Sequence, residues 1–333
     1  MKRVTIKDIA RELGLAYSTV SMAINDDKEI SLKTKQKVKK AIQKMGYVPN
    51  QTARSLVKGR THHISVVTLG LFSLYEMYIV RGIEQRMKNS RYDIILRSAR
   101  YDWSEAQNEM IKVLHERASD AVIIIGVKLI QEVIDEYEKA KMPLIIIDAG
   151  ASKKGCYLNI DNHECGRLAA ERFIKMGKKK PAVLLGNTEY AFSQSERKKG
   201  FLSALSKKGI KSENVLVSES PVYLPEDLKL SGYEGAKKMA KKGADCIYCA
   251  SGDFTAMGAY KYCVEKGIKI PGEISIIGTD DFDVADALEI TTIKQPLIKM
   301  GERAFELAEN FADICSVENI DEYFAPEIIL RKT

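Results

Sequence analysis

Val4-Thr5-Ile6-Lys7-Asp8-Ile9-Ala10-Arg11-Glu12-Leu13-Gly14-Leu15-Ala16-Tyr17-Ser18-Thr19-Val20-Ser21-Met22-Ala23-Ile24-Asn25 reads as two short helices joined by a tight turn. Thr5 and Asp8 have the Ser/Thr-x-x-acid spacing of a helix start, and Ile6, Ile9, Ala10 and Leu13 follow at helical spacing, so a first helix of about nine residues is expected. Gly14 ends it, Leu15-Ala16 turns, and Tyr17 restarts a helix whose Val20, Ala23 and Ile24 can bury against the first. Asn25-Asp26-Asp27 breaks that helix. A third is expected from Ser31 to about Met45, with Val38, Ala41, Ile42 and Met45 inward and Lys33, Lys37, Lys40 and Lys44 along one face. Three such helices suffice for a minimal core. This is the helix-turn-helix pattern, in which the second helix lies in the DNA major groove, so that Tyr17, Ser18, Ser21 and Met22 reach base edges. A plain helical hairpin has the same outline, and the charge distribution bears on the choice.

The chain has 333 residues with 52 Lys+Arg against 45 Asp+Glu. Residues 1–60 hold 14 of the cations and five of the acids, whereas the remaining 273 hold 38 against 40. A small basic head on a near-neutral body suits a chain that touches a polyanion with one domain only; a merely solvated charged surface is the alternative. With 45% apolar and 29% charged residues the composition is that of a globular protein. The longest apolar runs, such as Ala121 to Val127, are far short of the ~18 residues that span a bilayer, so no membrane partner is expected. Met1-Lys2-Arg3-Val4-Thr5 leads into no signal-peptide core, which points to the cytoplasm. Of the six cysteines only Cys246-Ile-Tyr-Cys249 has ligand-like spacing, and it lies in a strand-like apolar run with no second pair to complete a zinc site. It reads as two buried thiols.

Gly46-Tyr47-Val48-Pro49-Asn50-Gln51-Thr52-Ala53-Arg54-Ser55-Leu56 follows the third helix. Asn50 can cap a helix of about seven residues, too short to be stable alone, which should form only when something packs on it. Together with Val4-Thr5-Ile6-Lys7-Asp8-Ile9-Ala10 and Thr19-Val20-Ser21, this segment resembles the head and hinge of the lactose-repressor (LacI/GalR) family of transcription regulators. The resemblance implies DNA contacts from Thr5, Tyr17, Ser18, Thr19, Ser21, Met22, Asn25, Asn50, Ala53, Arg54 and Leu56, with Leu56 as a wedge in the minor groove. Two positions depart from the family pattern. Ala16 stands where many members carry a capping Ser, and Met22 where many carry an Arg that reads guanine, so Met22 can offer only apolar contact, for instance to a thymine methyl.

From residue 63 the pattern becomes apolar strand followed by amphipathic helix. Strands are expected at 64–69, 93–97, 121–125 and 144–148, with helices from about Tyr78 to Asn89, Ser104 to Arg117 and Gln131 to Ala140. A second series starts after Asp161-Asn162-His163, with strands at 182–185, 215–217, 246–249 and 274–277 between helices. Short buried strands alternating with helices imply parallel sheets covered on both faces, and two lobes in series imply a ligand cleft facing the strand C-termini. Catalytic motifs are lacking. No G-x-G-x-x-G follows a strand, no G-x-S-x-G elbow occurs, and Gly150-Ala-Ser-Lys-Lys-Gly155 continues into Cys156-Tyr157 instead of Lys-Ser/Thr. His62, His63, His115 and His163 form no metal-like cluster. An enzyme is not expected, nor a cofactor.

The body also resembles the same family's effector domain, through Asp161-Asn162 with Gly166, Ser195-Glu-Arg197-Lys-Lys-Gly200-Phe201, Asp253-Phe-Thr-Ala256-Met-Gly258, Gly278-Thr-Asp280-Asp281, Thr291-Thr292-Ile293-Lys294-Gln295 and Met300-Gly301. The resemblance implies a fold with an N-terminal helix-turn-helix DNA-binding domain and hinge helix, then a two-lobed α/β periplasmic-binding-protein-like effector domain. It divides the chain into a head (1–46), a hinge (47–61), an N-terminal lobe (62–160 and 296–324) and a C-terminal lobe (161–295 and 325–333). The implied function is a homodimeric repressor of operator DNA, controlled by a small molecule between the lobes, a sugar or sugar phosphate in preference to a nucleobase. Polyhydroxy ligands need bidentate acceptors and donors and a flat apolar face. Arg197 and Asp280 lead the effector candidates, followed by Asp148, Gln295 and Asp253, with Tyr75 and Tyr223 chosen by loop position. Each has a plainer alternative: Asp280 and Asp253 as caps, Arg197 as an ion-pair partner, the tyrosines as packing. The first loop, Gly70 to Met77, lacks the Asn-Pro-Phe-like stretch common in the family, and Gly252 replaces a frequent Asn. The competing function is a cytoplasmic sugar-binding or sugar-converting protein with an incidental basic head. The chain ends without a heptad tail, so no coiled-coil tetramer is expected.

Overall fold

The computed structural model describes residues 4–47, 60–71, 73–100, 102–150, 155–186, 188, 191–220, 225–314 and 319–333. The chain forms two compact units, Met1–Thr61 and His62–Thr333.

In the first unit, α1 (Ile6–Leu13), α2 (Tyr17–Ile24) and α3 (Leu32–Met45) enclose a small core of Ile9, Val20 and Val38 with Ala10 and Ala41, and Ile42 and Met45 pack against it. The Thr5 backbone N–H donates to the Asp8 carboxylate at 2.9 Å and its hydroxyl donates to the same oxygen at 2.7 Å, which fixes the start of α1. Gly14, with φ 62°, ends α1 in the left-handed conformation that favours glycine. Ala16 offers α2 no side-chain cap. On α3, by contrast, the Ser31 hydroxyl accepts from the Thr34 N–H at 3.2 Å. The lysines expected along one face of α3 are exposed there, and Lys44 pairs with Glu12 at 3.2 Å.

The second unit holds two six-stranded sheets. The first is ordered β11-β5-β4-β3-β1-β2, built from β1 (His63–Thr68), β2 (Asp93–Ser98), β3 (Ala121–Ile125), β4 (Leu144–Ile147), β5 (Cys156–Ile160) and β11 (Ile320–Phe324). All its pairings are parallel. The second repeats the plan as β12-β10-β9-β8-β6-β7, with β6 (Pro181–Leu185), β7 (Leu216–Glu219), β8 (Cys246–Cys249), β9 (Ser275–Asp280), β10 (Thr291–Lys294) and an antiparallel edge strand β12 (Glu327–Ile329). The chain passes between the sheets after β5, after β10 and after β11. The expected strand–helix alternation is present, but β5, β10, β11, β12 and the long helix α12 (Leu297–Ile314) lie outside the repeat read from the sequence. So does an earlier start to the first covering helix, α4 (Leu74–Met87), which places Tyr75 in its first turn instead of in a loop. The other covering helices are α5 (Trp103–Glu116), α6 (Gln131–Ala140), α7 (Asn162–Lys175), α8 (Phe192–Ser206), α9 (Pro225–Lys241), α10 (Asp253–Glu265) and the short α11 (Asp283–Ala287). Among the described residues no helix is long and apolar enough to cross a membrane.

Three helix pairs meet backbone to backbone through reciprocal glycines. A Cβ added at Gly166 would lie 1.9 Å from the Arg197 carbonyl oxygen, and one at Gly200 would lie 1.9 Å from that of His163, so α7 and α8 touch without side chains between them. Gly232 and Gly258 do the same for α9 and α10, and Gly82 and Gly301 for α4 and α12. The first of these crossings fixes the turn of α8 that carries Arg197.

Candidate functional site

Six side chains at the C-terminal ends of the two sheets form one continuous hydrogen-bonded chain. The Tyr75 hydroxyl, on α4 after β1, donates to Asp148 Oδ2 at 2.9 Å; Asp148 follows β4. Asn162, the first residue of α7 after β5, donates from Nδ2 to Asp148 Oδ1 at 2.7 Å. Its own Oδ1 accepts from Arg197 Nε at 2.8 Å. Arg197 Nη1 donates to the Ala250 carbonyl after β8 at 2.8 Å, and Nη2 to Gln295 Oε1 after β10 at 3.0 Å. The Gln295 amide then donates to Asp280, the last residue of β9. Asp148, Asn162, Arg197 and Gln295 are buried, while Tyr75 and Asp280, at the two ends of the chain, are half-buried.

This chain takes in residues at two of the three places where the backbone passes between the sheets, Asn162 after β5 and Gln295 after β10. Buried polar groups at such a position must find partners, and here they find one another. Burial pushes the Asp148 and Asp280 carboxyls up, Asp280 to about 7, against the pull of the Arg197 guanidinium. The Tyr75 hydroxyl is driven far above its ordinary range by burial and by the adjacent Asp148. Burial opposes the charge on Arg197, but the acidic groups around it, Asp280 and Asp148 among them, outweigh that and keep it protonated. Asp148 (φ 52°), Asp280 (φ 109°) and Asp281 (φ 63°) all adopt left-handed backbone conformations, which cost about 1–3 kcal/mol each and cluster where function demands them. Gly252 makes room for this arrangement: a Cβ there would lie 2.8 Å from Asp280 Oδ2. Its replacement of the frequent Asn thus has a steric reason.

The Tyr78 ring on α4 packs 5.1 Å from the Phe282 ring of the second lobe. The arrangement has the chemistry of a receptor for a polar molecule: a hydroxyl at one end, a carboxylate at the other, a fixed cation between them, and aromatic faces alongside. Among the described residues no cluster of His, Cys, Asp or Glu is placed to hold a metal ion.

Of the residues expected to bind an effector, Arg197, Asp280, Asp148, Gln295 and Tyr75 are brought together. Asp253 is not in the chain. It is fully buried, and its two oxygens accept from the Phe282 N–H at 2.8 Å and the Thr292 hydroxyl at 2.7 Å, so it anchors the loop after β9 to β10. Tyr223 lies outside the described residues. The central linker, Asn162, escaped selection as a site residue, although Asp161-Asn162 marks a strand-to-helix junction of the kind where polar side chains face a cleft.

In the head, Tyr17, Ser18 and Asn25 are exposed and Ser21 and Met22 half-exposed, and together they follow one face of α2, while Val20 is fully buried against α1 and α3. Thr19 is half-buried and Thr5 is exposed but tied to Asp8. Asn50, Ala53, Arg54 and Leu56 lie outside the described residues.

Known proteins share both units. Residues 5–50 match the family model of bacterial regulatory proteins, lacI family, and residues 71–310 match a periplasmic binding protein domain. The HTH-type transcriptional repressor PurR of Vibrio atlanticus (strain LGP32) is 30% identical over 334 residues, covering 99% of this chain and 98% of its own. Among solved structures, the Lac repressor dimer bound to operator and the anti-inducer ONPF superimposes with a TM-score of 0.86 at 22% identity, covering 100% of this chain and 99% of its own. The transcriptional regulator CelR in complex with cellobiose gives 0.71 at 21% identity, covering 99% of each chain. The competing reading of the sequence, a cytoplasmic sugar-binding or sugar-converting protein with an incidental basic head, is set aside by these matches. With a head and a body that both match, and a repressor similar along nearly its full length, the chain belongs to the lacI family of bacterial regulatory proteins, DNA-binding transcriptional regulators under small-molecule control and not enzymes.

Proposed function

We propose that this regulator is a homodimeric cytoplasmic repressor whose effector, a sugar or sugar phosphate in preference to a nucleobase, binds between the lobes at the chain running from Tyr75 to Asp280. The observation that carries the reading is that chain. Asp148, Arg197 and Asp280, linked through Asn162 and Gln295, set one acceptor on either side of a donor, a combination that hydroxyl groups of a sugar can engage. The cellobiose held by the similarly folded CelR supports a carbohydrate. In the DNA complex, Thr5, Tyr17, Ser18, Thr19, Ser21, Met22 and Asn25 face the major groove, and Asn50, Ala53, Arg54 and Leu56 form the hinge contact. The chain divides into a head at 1–46, a hinge at 47–61 and lobes of 62–160 with 296–324 and 161–295 with 325–333; the sheet memberships of β5, β10, β11 and β12 support the lobe bounds.

The test is a thermal-shift screen of the full chain against sugars, sugar phosphates and nucleobases. A ligand at 100 times its Kd adds about 2.7 kcal/mol of apparent stability. A sugar hit that vanishes in Arg197→Lys and that changes operator affinity supports the proposal. Stabilisation by nucleobases alone overturns the sugar assignment.

A further inference from the structure

The second lobe carries its positive charge at one edge. Strands β7, β6, β8 and β9 are neighbours and start level with one another, with Ala182 opposite Leu216, Pro181 opposite Cys246 and Cys246 opposite Ser275. The loops entering them therefore share the edge remote from the cleft. Each is rich in lysine: Lys178-Lys179-Lys180 enters β6, Lys207-Lys208 begins the approach to β7, Lys241-Lys242 precedes β8, and Lys266 and Lys269 precede β9. The loops also touch. Lys178 Nζ donates to the Pro271 carbonyl at 2.8 Å, and the Lys179 and Lys180 N–H groups donate to the Asp245 carboxylate at 2.7 and 2.9 Å. Apart from Lys178, all these lysines are exposed, and none has a carboxylate within ion-pair distance among the described residues.

Helix C-termini end at this edge, and a cation at each would offset the helix dipole. The first lobe is an internal control, because its helices end at the corresponding edge of its sheet. There the loops that lead from helices into β2, β3 and β4 carry Lys88 with Arg91, Arg117 and Lys141, Arg91 being paired with Asp313, and Lys153-Lys154 precede β5, which no helix feeds. At those helix ends one unpaired cation per loop suffices, against two or three lysines per loop in the second lobe. The excess faces outward over four strands, about 14 Å at ~4.8 Å per strand. A duplex places one phosphate charge in every ~1.7 Å of its axis, so a patch of this width spans several of them. These loops contain no arginine and no aromatic residue, whereas protein interfaces favour both and are poor in lysine.

From this geometry we infer that the distal edge of the second lobe is a sequence-independent docking surface for the phosphate backbone of a second DNA segment, separate from the operator contact of the head. A regulator bound to its operator would then hold a further stretch of duplex by charge alone.

The experiment uses the full chain. Immobilised operator duplex is saturated with protein, washed, and offered a labelled duplex without operator sequence, across a series of salt concentrations. The variant is K179Q/K180Q/K241Q/K242Q, at four exposed positions, and its thermal midpoint and operator affinity are checked to match the native protein. Capture of the second duplex at low salt, with a steep decline as salt rises and a loss of about tenfold or more in the variant, supports the surface. Three results overturn it: no capture by the native protein, capture undiminished in the variant, or capture competed by polyglutamate at charge concentrations where a competing duplex has no effect.

Discussion

Asp148 and Arg197 form no direct ion pair; the side chain of Asn162 lies between them and bonds both, at 2.7 and 2.8 Å. The acid of one lobe and the base of the other are thus coupled through a neutral amide whose two ends are both in use. Replacing Asn162 with Ala leaves Asp148 Oδ1 and Arg197 Nε without this partner at once, while Tyr75, Ala250 and Gln295 keep their bonds, and leaving buried polar atoms unsatisfied costs about 1–3 kcal/mol. We expect Asn162→Ala to lower the denaturation midpoint accordingly and to abolish the effector's influence on operator binding. Denaturant titration and a DNA-binding titration with and without effector measure the two effects. Unchanged stability would show that the link is incidental.

The glycine crossing beside Arg197 makes a separate prediction. In Gly200→Ala the new methyl carbon meets the His163 carbonyl oxygen at 1.9 Å, and backbone cannot yield as a side-chain tip can. Overpacking of this kind costs about 1–3 kcal/mol or more, because α7 and α8 must separate. Gly272→Ala is the control, since its nearest neighbour would be 3.5 Å away, and it should stay within about 0.5 kcal/mol of the native protein. Thermal unfolding of the two variants gives the comparison, and similar midpoints would remove the crossing from the list of constraints.

Glu76 is buried on α4, its Oε2 has no hydrogen-bond partner among the described residues, and burial pushes its pKa up to about 7 despite the pull of Ser73. A carboxyl raised in the folded state holds its proton there after the unfolded chain has released it. Stability from this group is therefore lost as pH rises from about 4.5 to about 7, and the shift is worth about 3 kcal/mol above that window. Glu76→Gln removes the titrating group. It should raise the melting temperature at about pH 8 and change it little at about pH 5, as calorimetry at both values can determine. A gain of equal size at both would mean that ionisation of Glu76 is not the cause.

Much of this architecture was legible in the sequence because the signals are local. Thr5 and Asp8 announce α1, Gly14 ends it, and the apolar runs at Ala121–Ile125 and Cys246–Cys249 are strands to the residue. Arg197 and Asp280 were legible through the motifs around them. What escaped depends on long-range contacts. Cys156-Tyr-Leu-Asn-Ile160 and Thr291-Thr-Ile-Lys294 have little pattern of their own and become strands by pairing beside strands already in the sheet. Asp253 sits in a family motif, yet only the tertiary fold brings Phe282 and Thr292 to occupy both its oxygens. Asn162 was overlooked because an amide shows no charge signal, and its role exists only once Asp148 and Arg197 converge on it.

The hinge supplies the prediction that bears most directly on repression. On the proposed reading the hinge is a helix of about seven residues from Asn50; a helix of that length is too short to persist alone and would form at the expense of binding energy when DNA offers a surface. On the same reading the exposed lysines along α3 are general phosphate contacts, and they would set the salt dependence common to operator and random DNA. Leu56 carries no charge. If it wedges between base steps in the minor groove, its contribution is confined to sites that can be kinked there. Leu56→Ala should therefore weaken operator binding by about tenfold or more while leaving the affinity for random DNA and the salt slope as they are. Fluorescence anisotropy with both duplexes over a range of salt measures all three. Equal losses on the two duplexes would place Leu56 among the general contacts, and discrimination would then rest on the exposed face of α2, where Tyr17, Ser18 and Met22 stand.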